Sequence, residues 1–251
     1  MKRPVNDEPL RLNRFLARAG LGSRRQVEQL ITQGRIRLNG KTVQSLATQV
    51  QPARDQVTCD GQVVELPAAW RVFAFHKPLG VVSTLRAQGD QPGLLQFRDE
   101  AGLPPSFVPV GRLDAETTGL LLWTDDGDLA QVLCRPVSKV WKQYEVTLNA
   151  RLTPDAQRKL TGGKLELDGR PCLPLRLQPK AVGETRRWTL ELREGRRRQI
   201  RRMFAQLQLR VITLKRTAVG PIELGRLRAG HFRRLRGAEE QALRAAANPN
   251  N

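Results

Sequence analysis

The chain has 251 residues, 39% of them hydrophobic, which is enough for a large domain plus a small one and argues against a disordered chain. Lysine and arginine total 43 against 24 acidic residues, a formal charge of +19, and this excess favours a polyanionic partner such as nucleic acid. A high-GC genome that enriches arginine everywhere would give the same total, so the placement of the charge has to decide.

Three cysteines, Cys59, Cys134 and Cys172, stand alone in the sequence, and this odd number without a CxxC pair fits neither a disulfide framework nor a zinc site. The pattern predicts a reducing, cytoplasmic setting. The first residues, MKRPVNDEPLRL, carry charge but no apolar segment, and no run approaches the roughly 18 apolar residues of a membrane helix. We therefore expect an unprocessed protein that has no membrane contact.

Residues 10–66 have the pattern of a small module in which two helices precede a sheet. The first predicted helix has apolar residues at helical spacing and a glycine stop, at Leu12, Phe15, Leu16, Ala19 and Gly20. The second predicted helix starts at Ser23, an N-cap with Gln26 as its capping-box partner, and ends before Gly34. Its apolar face consists of Val27, Leu30 and Ile31.

Two hairpins are predicted after these helices, at Asn39-Gly40 and at Asp60-Gly61. Between residues 11 and 41 the module carries eight basic residues and a single acid. An ordinary solvated helix surface would interleave acids as i,i+4 partners, so we interpret this stretch as a face that binds RNA or DNA. The basic residues of this face are Arg11, Arg14, Arg18, Arg24, Arg25, Arg35, Arg37 and Lys41.

The stretch LRLNRFLARAGLGSRRQVEQLITQGRIRLNGKTV resembles the S-four RNA-binding domain, over roughly residues 10–57. The resemblance implies RNA binding without chemistry, because the same module accompanies synthetases, methyltransferases and heat-shock RNA-binding proteins. Any catalytic activity is therefore expected in the rest of the chain.

A linker at residues 67–71 is predicted to lead into a longer domain at residues 72–237, with tails at residues 1–9 and 238–251. Strands and helices mix in this domain without strict alternation, so we predict an α+β fold with a mixed, largely antiparallel sheet. The predicted strands are RVFAFHKP, GLLLWTD, QYEVTLNA, RWTLELRE and RVITLKRTAVG, and the predicted helices lie near 127–134, 154–160 and 196–208. The C-terminal tail is expected to hold a helical turn and then to fray.

Four segments of this domain, in a fixed order, carry the candidate chemistry. FHKPLGVVST ends a strand in a basic turn at Lys77, and by itself it is an ordinary turn signal. GRLDAETTGLLLWTDDGDLA places Arg112 and Asp114 before a buried strand, and on spacing alone Asp114 would cap a turn. KVWKQYEVTL contains Tyr144, the only tyrosine of the chain, which on its own would be a core aromatic.

The fourth segment, LREGRRRQIRRMFAQL, combines an apolar helical stripe with a run of arginines. The stripe, which we expect in the core, consists of Ile200, Met203, Phe204 and Leu207. Six arginines fall between residues 193 and 202 and are expected on the rim and the polar face of the helix. Those expected to contact RNA phosphates are Arg196, Arg197, Arg198 and Arg202.

Together the four segments resemble the RsuA/RluB-type branch of the pseudouridine synthases, which acts on ribosomal RNA. The family's RLDxxTxGLLLLTNDG pattern is matched closely over about 20 residues, with departures at Trp123 and Asp125. The resemblance implies that Asp114 is the catalytic carboxylate, that Arg201 of the QIR triplet pairs with it, and that Tyr144 stacks on the target uracil. It also implies that Leu214 lies near the target ring and that Arg112 fills the space left by the flipped base. Lys77 is expected to line the same pocket or to contact phosphate.

The implied reaction isomerises a uridine by base flipping, cleavage of the N1–C1′ bond and re-attachment through C5, and it requires no cofactor and no metal. The aspartate would either attack C1′ or remove a proton from C2′, and both routes stay open. The N-terminal module and the EGRRRQIRRMF form resemble the ribosomal RNA branch rather than the transfer RNA branch. Within it we expect a large-subunit (23S) uridine, with a small-subunit (16S) site as the alternative. We expect a monomer whose partner is ribosomal RNA or a ribosomal subunit precursor.

The main rival interpretation is a non-catalytic RNA-binding or ribosome-assembly protein that uses the same basic surfaces. A methyltransferase should show a Gly-rich loop between a strand and a helix with a downstream acid, and a zinc deaminase should show HxE with PCxxC. The sequence contains neither pattern. The four ordered segments therefore favour the isomerase over the binding protein.

Overall fold

The computed structural model of the chain describes residues 8–67, 69–85, 92–135 and 140–247. It divides into an N-terminal unit (Met1–Val72, Gly102–Val108 and Thr124–Gly127) and a C-terminal unit (Phe73–Ala101, Pro109–Trp123 and Asp128–Asn251). Each unit is therefore assembled from separate stretches of sequence. Ala68 of the predicted linker, and residues 1–7 and 248–251 of the predicted tails, lie outside the described residues. None of the described helices is both long and apolar enough to cross a membrane.

The N-terminal unit starts with the two predicted helices, and the predicted capping box is confirmed. The Ser23 hydroxyl accepts a bond from the Gln26 N–H at 3.4 Å, and the Gln26 side chain accepts one from the Ser23 N–H at 2.8 Å. The elements are β1 (Leu10–Arg11), α1 (Leu12–Arg18), α2 (Arg24–Thr32), β2 (Ile36–Leu38), β3 (Lys41–Thr42), β4 (Gln49–Val50), β5 (Val57–Cys59) and β6 (Gln62–Val63). Their buried core consists of Leu12, Phe15, Leu16, Val27, Ile31, Ile36, Val50, Val57 and Val64.

Both predicted hairpins of this unit are present. Asn39 and Gly40 have φ of 49° and 79°, and Asp60 and Gly61 have φ of 49° and 83°. Positive φ at both central residues is what a type I′ turn requires, and this turn matches the twist of the strands that it joins. β2 pairs with β3 and with β5, and β5 pairs with β6, so the two hairpins form one four-stranded antiparallel sheet.

A larger mixed sheet organises the rest of the chain, and the predicted α+β class is confirmed. Its elements are β7 (Val72–Lys77), α3 (Leu94–Glu100), β8 (Val108–Pro109), β9 (Thr118–Thr124), α4 (Gly127–Cys134), β10 (Lys142–Leu148), α5 (Pro154–Thr161), β11 (Glu166–Leu167), β12 (Arg170–Pro171), β13 (Arg176–Pro179), β14 (Arg187–Leu192), α6 (Gln199–Gln206), β15 (Val211–Val219), β16 (Ile222–Glu223), β17 (Phe232–Arg234) and α7 (Gly237–Ala247). The strand order is β13-β14-β10-β15-β9-β7-β17, with β16 on β15 and β8 on β9. The pairs of β10 with β14 and β15 are antiparallel, whereas β15 and β9 are parallel.

Gly119 explains how the parallel pair forms. In the register of β9 and β15 it lies opposite Arg216, and a Cβ at this position would lie 2.2 Å from the Arg216 carbonyl oxygen. Its φ of +106° is also in a region that side chains with a Cβ rarely adopt. The glycine of the Thr-x-Gly pattern is thus required for packing, and it fixes the strand that follows the predicted catalytic loop.

Two helices differ from the sequence prediction. The predicted turn at the C-terminal end is the 11-residue helix α7, whose buried Leu243 anchors it. Helix α3 was not predicted, because LLQFRDE follows a Pro-Gly pair and has only seven residues. A segment this short gives too few turns for its apolar period to be recognised.

Candidate active site

Asp114 lies in the loop that joins β8 to β9, and backbone hydrogen bonds fix this loop on both sides of the residue. The Thr117 N–H donates to the Asp114 carbonyl at 2.9 Å and closes a tight turn. The Ser83 hydroxyl donates to the Leu113 carbonyl at 2.7 Å and accepts from the Leu113 N–H at 3.0 Å. The carboxylate of Asp114 therefore extends from a loop whose backbone is already satisfied.

The half-buried Asp114 lines a cavity of about 810 Å³ in the C-terminal unit. This volume falls in the range of roughly 300–1,000 Å³ that is typical of small-molecule sites. The predicted residues on its wall are Arg112, Asp114, Tyr144, Arg196, Arg197, Arg198, Arg201 and Leu214. Among the residues that the structure describes, no cluster of three or more His, Cys, Asp or Glu side chains is placed to hold a metal ion.

Tyr144 and Leu214 supply the apolar wall of the cavity. Both side chains are buried, and they come from the antiparallel strands β10 and β15. In the register of these strands Leu214 lies opposite Val146, and Tyr144 lies opposite Arg216. An aromatic ring in this position can stack on a base, and such stacking does not depend on which base it is.

Lys77 is completely buried and does not line the cavity, which corrects the prediction that it would. Its ammonium group donates to the carbonyls of Pro78 and Val81, each at 2.8 Å. Burial lowers the pKa of Lys77 to about 8, against a smaller opposing effect of the Asp114 charge. The lysine therefore holds the turn at residues 77–81 and acts on Asp114 only through its field.

Arg201 approaches Asp114 without forming a direct ion pair among the contacts of the described residues. Its guanidinium donates to the carbonyls of Val211 at 3.0 Å and Glu116 at 2.8 Å, and its Nε lies 3.3 Å from the Glu116 carboxylate. Burial lowers the pKa of Arg201, whereas the charges of Glu116 and Asp114 raise it. The implied pairing of Arg201 with Asp114 is thus present as a field effect, while the carboxylate that lies within ion-pair distance of Arg201 is that of Glu116.

Three cavity residues were missed by the sequence reasoning. Thr117 is 2% exposed, and its hydroxyl has no hydrogen-bond partner among the described residues. Arg216 is buried and donates from Nε to the Leu120 carbonyl at 2.6 Å. Burial lowers the pKa of Lys142, and the nearby Arg216 charge lowers it further. The threonine of the matched motif and the arginine of LKR were visible signals, but nothing in their local pattern indicated burial.

Arg196 is tied into the protein rather than left on the surface. Its guanidinium donates to the carbonyls of Leu167 at 3.0 Å, Arg170 at 2.9 Å and Pro171 at 2.5 Å. These three carbonyls belong to the β11–β12 hairpin. The contacts favour a structural role for Arg196 over the predicted phosphate contact.

The other arginines of this run divide into paired and unpaired groups. Arg198 donates to the Glu116 carboxylate at 2.7 Å, and Arg202 donates to both carboxylate oxygens of Asp168 at 2.7 and 2.9 Å. Arg197 is exposed on the rim of the cavity and has no side-chain partner among the described residues. Of the four predicted phosphate contacts, Arg197 is the one whose charge stays available.

The predicted basic face of the N-terminal unit keeps most of its charge in solvent. Two of its arginines have partners. The Arg35 Nε donates to the Asp60 carboxylate at 3.0 Å, and the Arg18 guanidinium lies over the Trp70 ring, 5.8 Å from the ring centroid. Arg14 is only partly exposed. The side chains that are exposed and without a partner among the described residues are those of Arg11, Arg24, Arg25, Arg37 and Lys41.

Comparison with known proteins identifies the family. A model of the RNA pseudouridylate synthase family matches residues 71–206, and a model of the S4 domain matches residues 10–57. The chain belongs to the RNA pseudouridylate synthase family and is an RNA pseudouridine synthase, an isomerase. Both resemblances noted in the sequence are thus confirmed.

Relatives match over nearly the whole chain. "Ribosomal large subunit pseudouridine synthase B" of Bacillus subtilis (strain 168) is 34% identical, covering 95% of this chain and 97% of the relative. An "Uncharacterized RNA pseudouridine synthase" of Aquifex aeolicus (strain VF5) is 33% identical, covering 92% of each chain. A crystal structure of a pseudouridylate synthase is 30% identical, has a TM-score of 0.65, and covers 93% of this chain and 99% of that one.

Proposed function

We propose that the protein isomerises one uridine of ribosomal RNA to pseudouridine, with Asp114 as the catalytic carboxylate. The observation that carries the proposal is the half-buried carboxylate of Asp114 on the wall of a cavity that also presents Tyr144 and Leu214. A flipped uridine needs an apolar, aromatic wall for its base and a charged group near its sugar. This cavity offers both.

The chemistry conserves all atoms of the uridine. The N1–C1′ bond breaks, the uracil turns, and C5 bonds to C1′; the proton on C5 is then lost, and N1 ends with one. Asp114 acts in its ionised form, either by attacking C1′ or by removing the C2′ proton. A single carboxylate suffices, because the delocalised uracil anion is a better leaving group than the sugar alcohols of ordinary glycosidases.

Basic side chains near Asp114 contribute positive charge to the site and help to open the RNA. The negative charge of Asp114 raises the pKa of Lys77 and of Arg201, although burial has the larger, opposite effect on both. Arg112 is exposed beside the catalytic loop and lines the cavity, which suits it to fill the space that the flipped base leaves. Tyr144 stacks on the uracil, and Leu214 contacts its ring.

Large-subunit RNA is the favoured substrate, because the Bacillus subtilis relative that matches almost end to end is named for the large ribosomal subunit. The N-terminal module, residues 10–66, supplies additional RNA contacts through its exposed arginines and Lys41. Counterion release from such contacts makes binding depend steeply on salt. We infer that the module raises affinity for ribosomal RNA or a subunit precursor, while the cavity selects the uridine.

The test combines gene deletion with mapping of pseudouridines in ribosomal RNA. Deletion should remove one site in large-subunit RNA, wild type should restore it, and Asp114→Asn should not. With purified enzyme, Asp114→Asn should lower the rate by about 10³-fold or more, since a neutral amide neither attacks carbon nor accepts the proton. RNA affinity should stay unchanged.

Asp155→Asn is the matched control, because Asp155 is an exposed acid of α5 that is paired with Lys159. It should restore the modification fully. Restoration by Asp114→Asn would sink the catalytic assignment, and loss of a small-subunit site would correct the choice of RNA. If no uridine of ribosomal RNA changed on deletion, the rival interpretation of a ribosome-assembly factor would be favoured over the proposed substrate.

A further inference from the structure

A second groove adjoins the active-site cavity. It has a volume of about 630 Å³ and shares Arg198 and Arg201 with the cavity. Two of the large apolar side chains that the described surface exposes lie on its wall, Leu79 at 69% and Ile212 at 46% exposure. Exposed apolar groups that cluster beside a reactive cavity indicate a contact surface.

Leu79 is held rigidly in this exposed position. It is part of the turn that the buried Lys77 braces through the carbonyls of Pro78 and Val81. The next residue, Gly80, donates its N–H to the Ala115 carbonyl at 2.9 Å, so the turn is bonded to the loop that carries Asp114. The backbone on both sides of Leu79 is therefore hydrogen-bonded, while its side chain lies in solvent.

The charge of the groove suits a polyanion. Arg198, Arg201 and Arg210 line it together with a single acid, Glu116, which pairs with the first two. Arg210 is exposed, and its side chain has no partner among the described residues. The groove thus combines an apolar surface with an excess of positive charge, the combination that a nucleotide base and its phosphate require.

We propose that this groove binds the RNA nucleotide next to the target uridine, with the base against Leu79 and Ile212 and the phosphate near Arg210. The inference rests on the proposed function, because an RNA that places a uridine at Asp114 must lead its neighbouring nucleotide across the shared rim. Apolar side chains that contact a base beside a flipped nucleotide keep the opened stack from closing. Leu79 is therefore a positioning residue for the reaction.

The experiment couples changes in the protein to removal of a base from the RNA. The substrate is the ribosomal RNA fragment that carries the uridine lost on gene deletion, made intact and with an abasic nucleotide on either side. Loss of the leucine contact in Leu79→Ala should lower kcat/KM on intact RNA by about fivefold, and the abasic change should cost wild type a similar factor. If the two groups touch, the combined loss should stay near about fivefold rather than reach about 25-fold.

Matched variants separate contact from structural damage. Val182→Ala removes an apolar side chain that is fully exposed elsewhere, and Arg151→Ala removes an exposed arginine outside both cavities. Both should behave as wild type, Leu79→Met should recover most of the loss, and Arg210→Ala should raise KM and leave kcat unchanged. All variants should unfold at the wild-type temperature.

Several outcomes would overturn the proposal. Multiplicative losses at both flanking positions would mean that Leu79 touches neither base. An effect confined to assembled ribosomal subunits and absent on naked RNA would mean that the groove contacts a protein. Wild type would be fully active in each of these cases, whereas failure of the proposed function would appear as a wild type that forms no pseudouridine.

Discussion

The two units use their positive charge in opposite ways. In the N-terminal unit Arg11, Arg24, Arg25 and Arg37 are exposed and have no partner among the described residues. In the C-terminal unit several basic side chains around the cavity are tied to carbonyl oxygens, as Arg196 shows with its three acceptors, although Arg112 and Arg197 stay exposed. Arginine density in the sequence is similar in both places, so density alone does not locate RNA contacts.

The difference follows from whether the basic side chains of each unit are used as donors to its backbone carbonyl groups. In the N-terminal unit, the side chains that bond the backbone include the uncharged Ser23, which caps α2. Around the cavity, carbonyl groups of both loops and strands accept hydrogen bonds from basic side chains, and a buried carbonyl without a donor is costly. Arg196, Arg201, Arg216 and Lys77 supply those donors.

The largest effect should come from Arg196→Met, which leaves the β11–β12 carbonyls without their donor. We expect a loss of about 2–3 kcal/mol in the free energy of unfolding, measured by urea denaturation. Arg197→Met is the control, because its exposed side chain has no partner among the described residues. It should stay within about 0.5 kcal/mol of wild type. Equal losses in the two variants would remove the distinction between tied and available arginines.

A smaller effect is expected from the buried charge of Lys77. Its pKa is about 8 in the folded protein against 10.5 for an ordinary lysine, so above pH 8 the unfolded chain still binds a proton that the folded protein has released. Raising the pH from 7.5 to 9.5 should therefore stabilise wild type relative to Lys77→Met by about 1–2 kcal/mol. Lys41→Met, which removes an exposed lysine, controls for net charge. If the difference in unfolding free energy between wild type and Lys77→Met did not change over this pH range, the burial of the Lys77 charge would be contradicted.

The smallest effect should come from Arg37→Gln on the exposed face. RNA affinity should fall by about fivefold or less at physiological salt, and the slope of log affinity against log salt should decrease by about 0.7–0.9. Thermal stability should not change. Arg54→Gln, an exposed arginine of the same unit outside the predicted face, should leave the slope unaltered. If both substitutions changed the slope equally, the contacts would be spread over the unit instead of forming a face.

Much of the fold was predictable where a local pattern decides the conformation. The Ser23 capping box and the Asn39-Gly40 and Asp60-Gly61 turns are set by residues within a few positions of each other. The order of the sheet was not predictable, because the parallel pairing of β9 and β15 joins residues about 100 positions apart. A period of hydrophobic residues marks a strand but does not specify its neighbour.

The same division applies to the site. Asp114 and Tyr144 were found through a motif whose residues are adjacent in sequence. The partner of Arg201 depends on how α6 packs against the loop after Asp114. The sequence suggested Asp114 as this partner, whereas in the structure Arg201 contacts Glu116. Burial of Lys77 was hidden for a similar reason, since a Lys-Pro turn normally lies in solvent.

The central place of β15 also sets an order of events in folding. The N-terminal unit has a core made of residues 12–64, so the predicted RNA-binding face can form while the rest of the chain is still being synthesised. The cavity needs Leu214 from β15, and β7 pairs antiparallel with β17, near the other end of the chain. Contacts of such long sequence separation form slowly. During its synthesis the protein should therefore form its predicted RNA-binding face well before its active-site cavity.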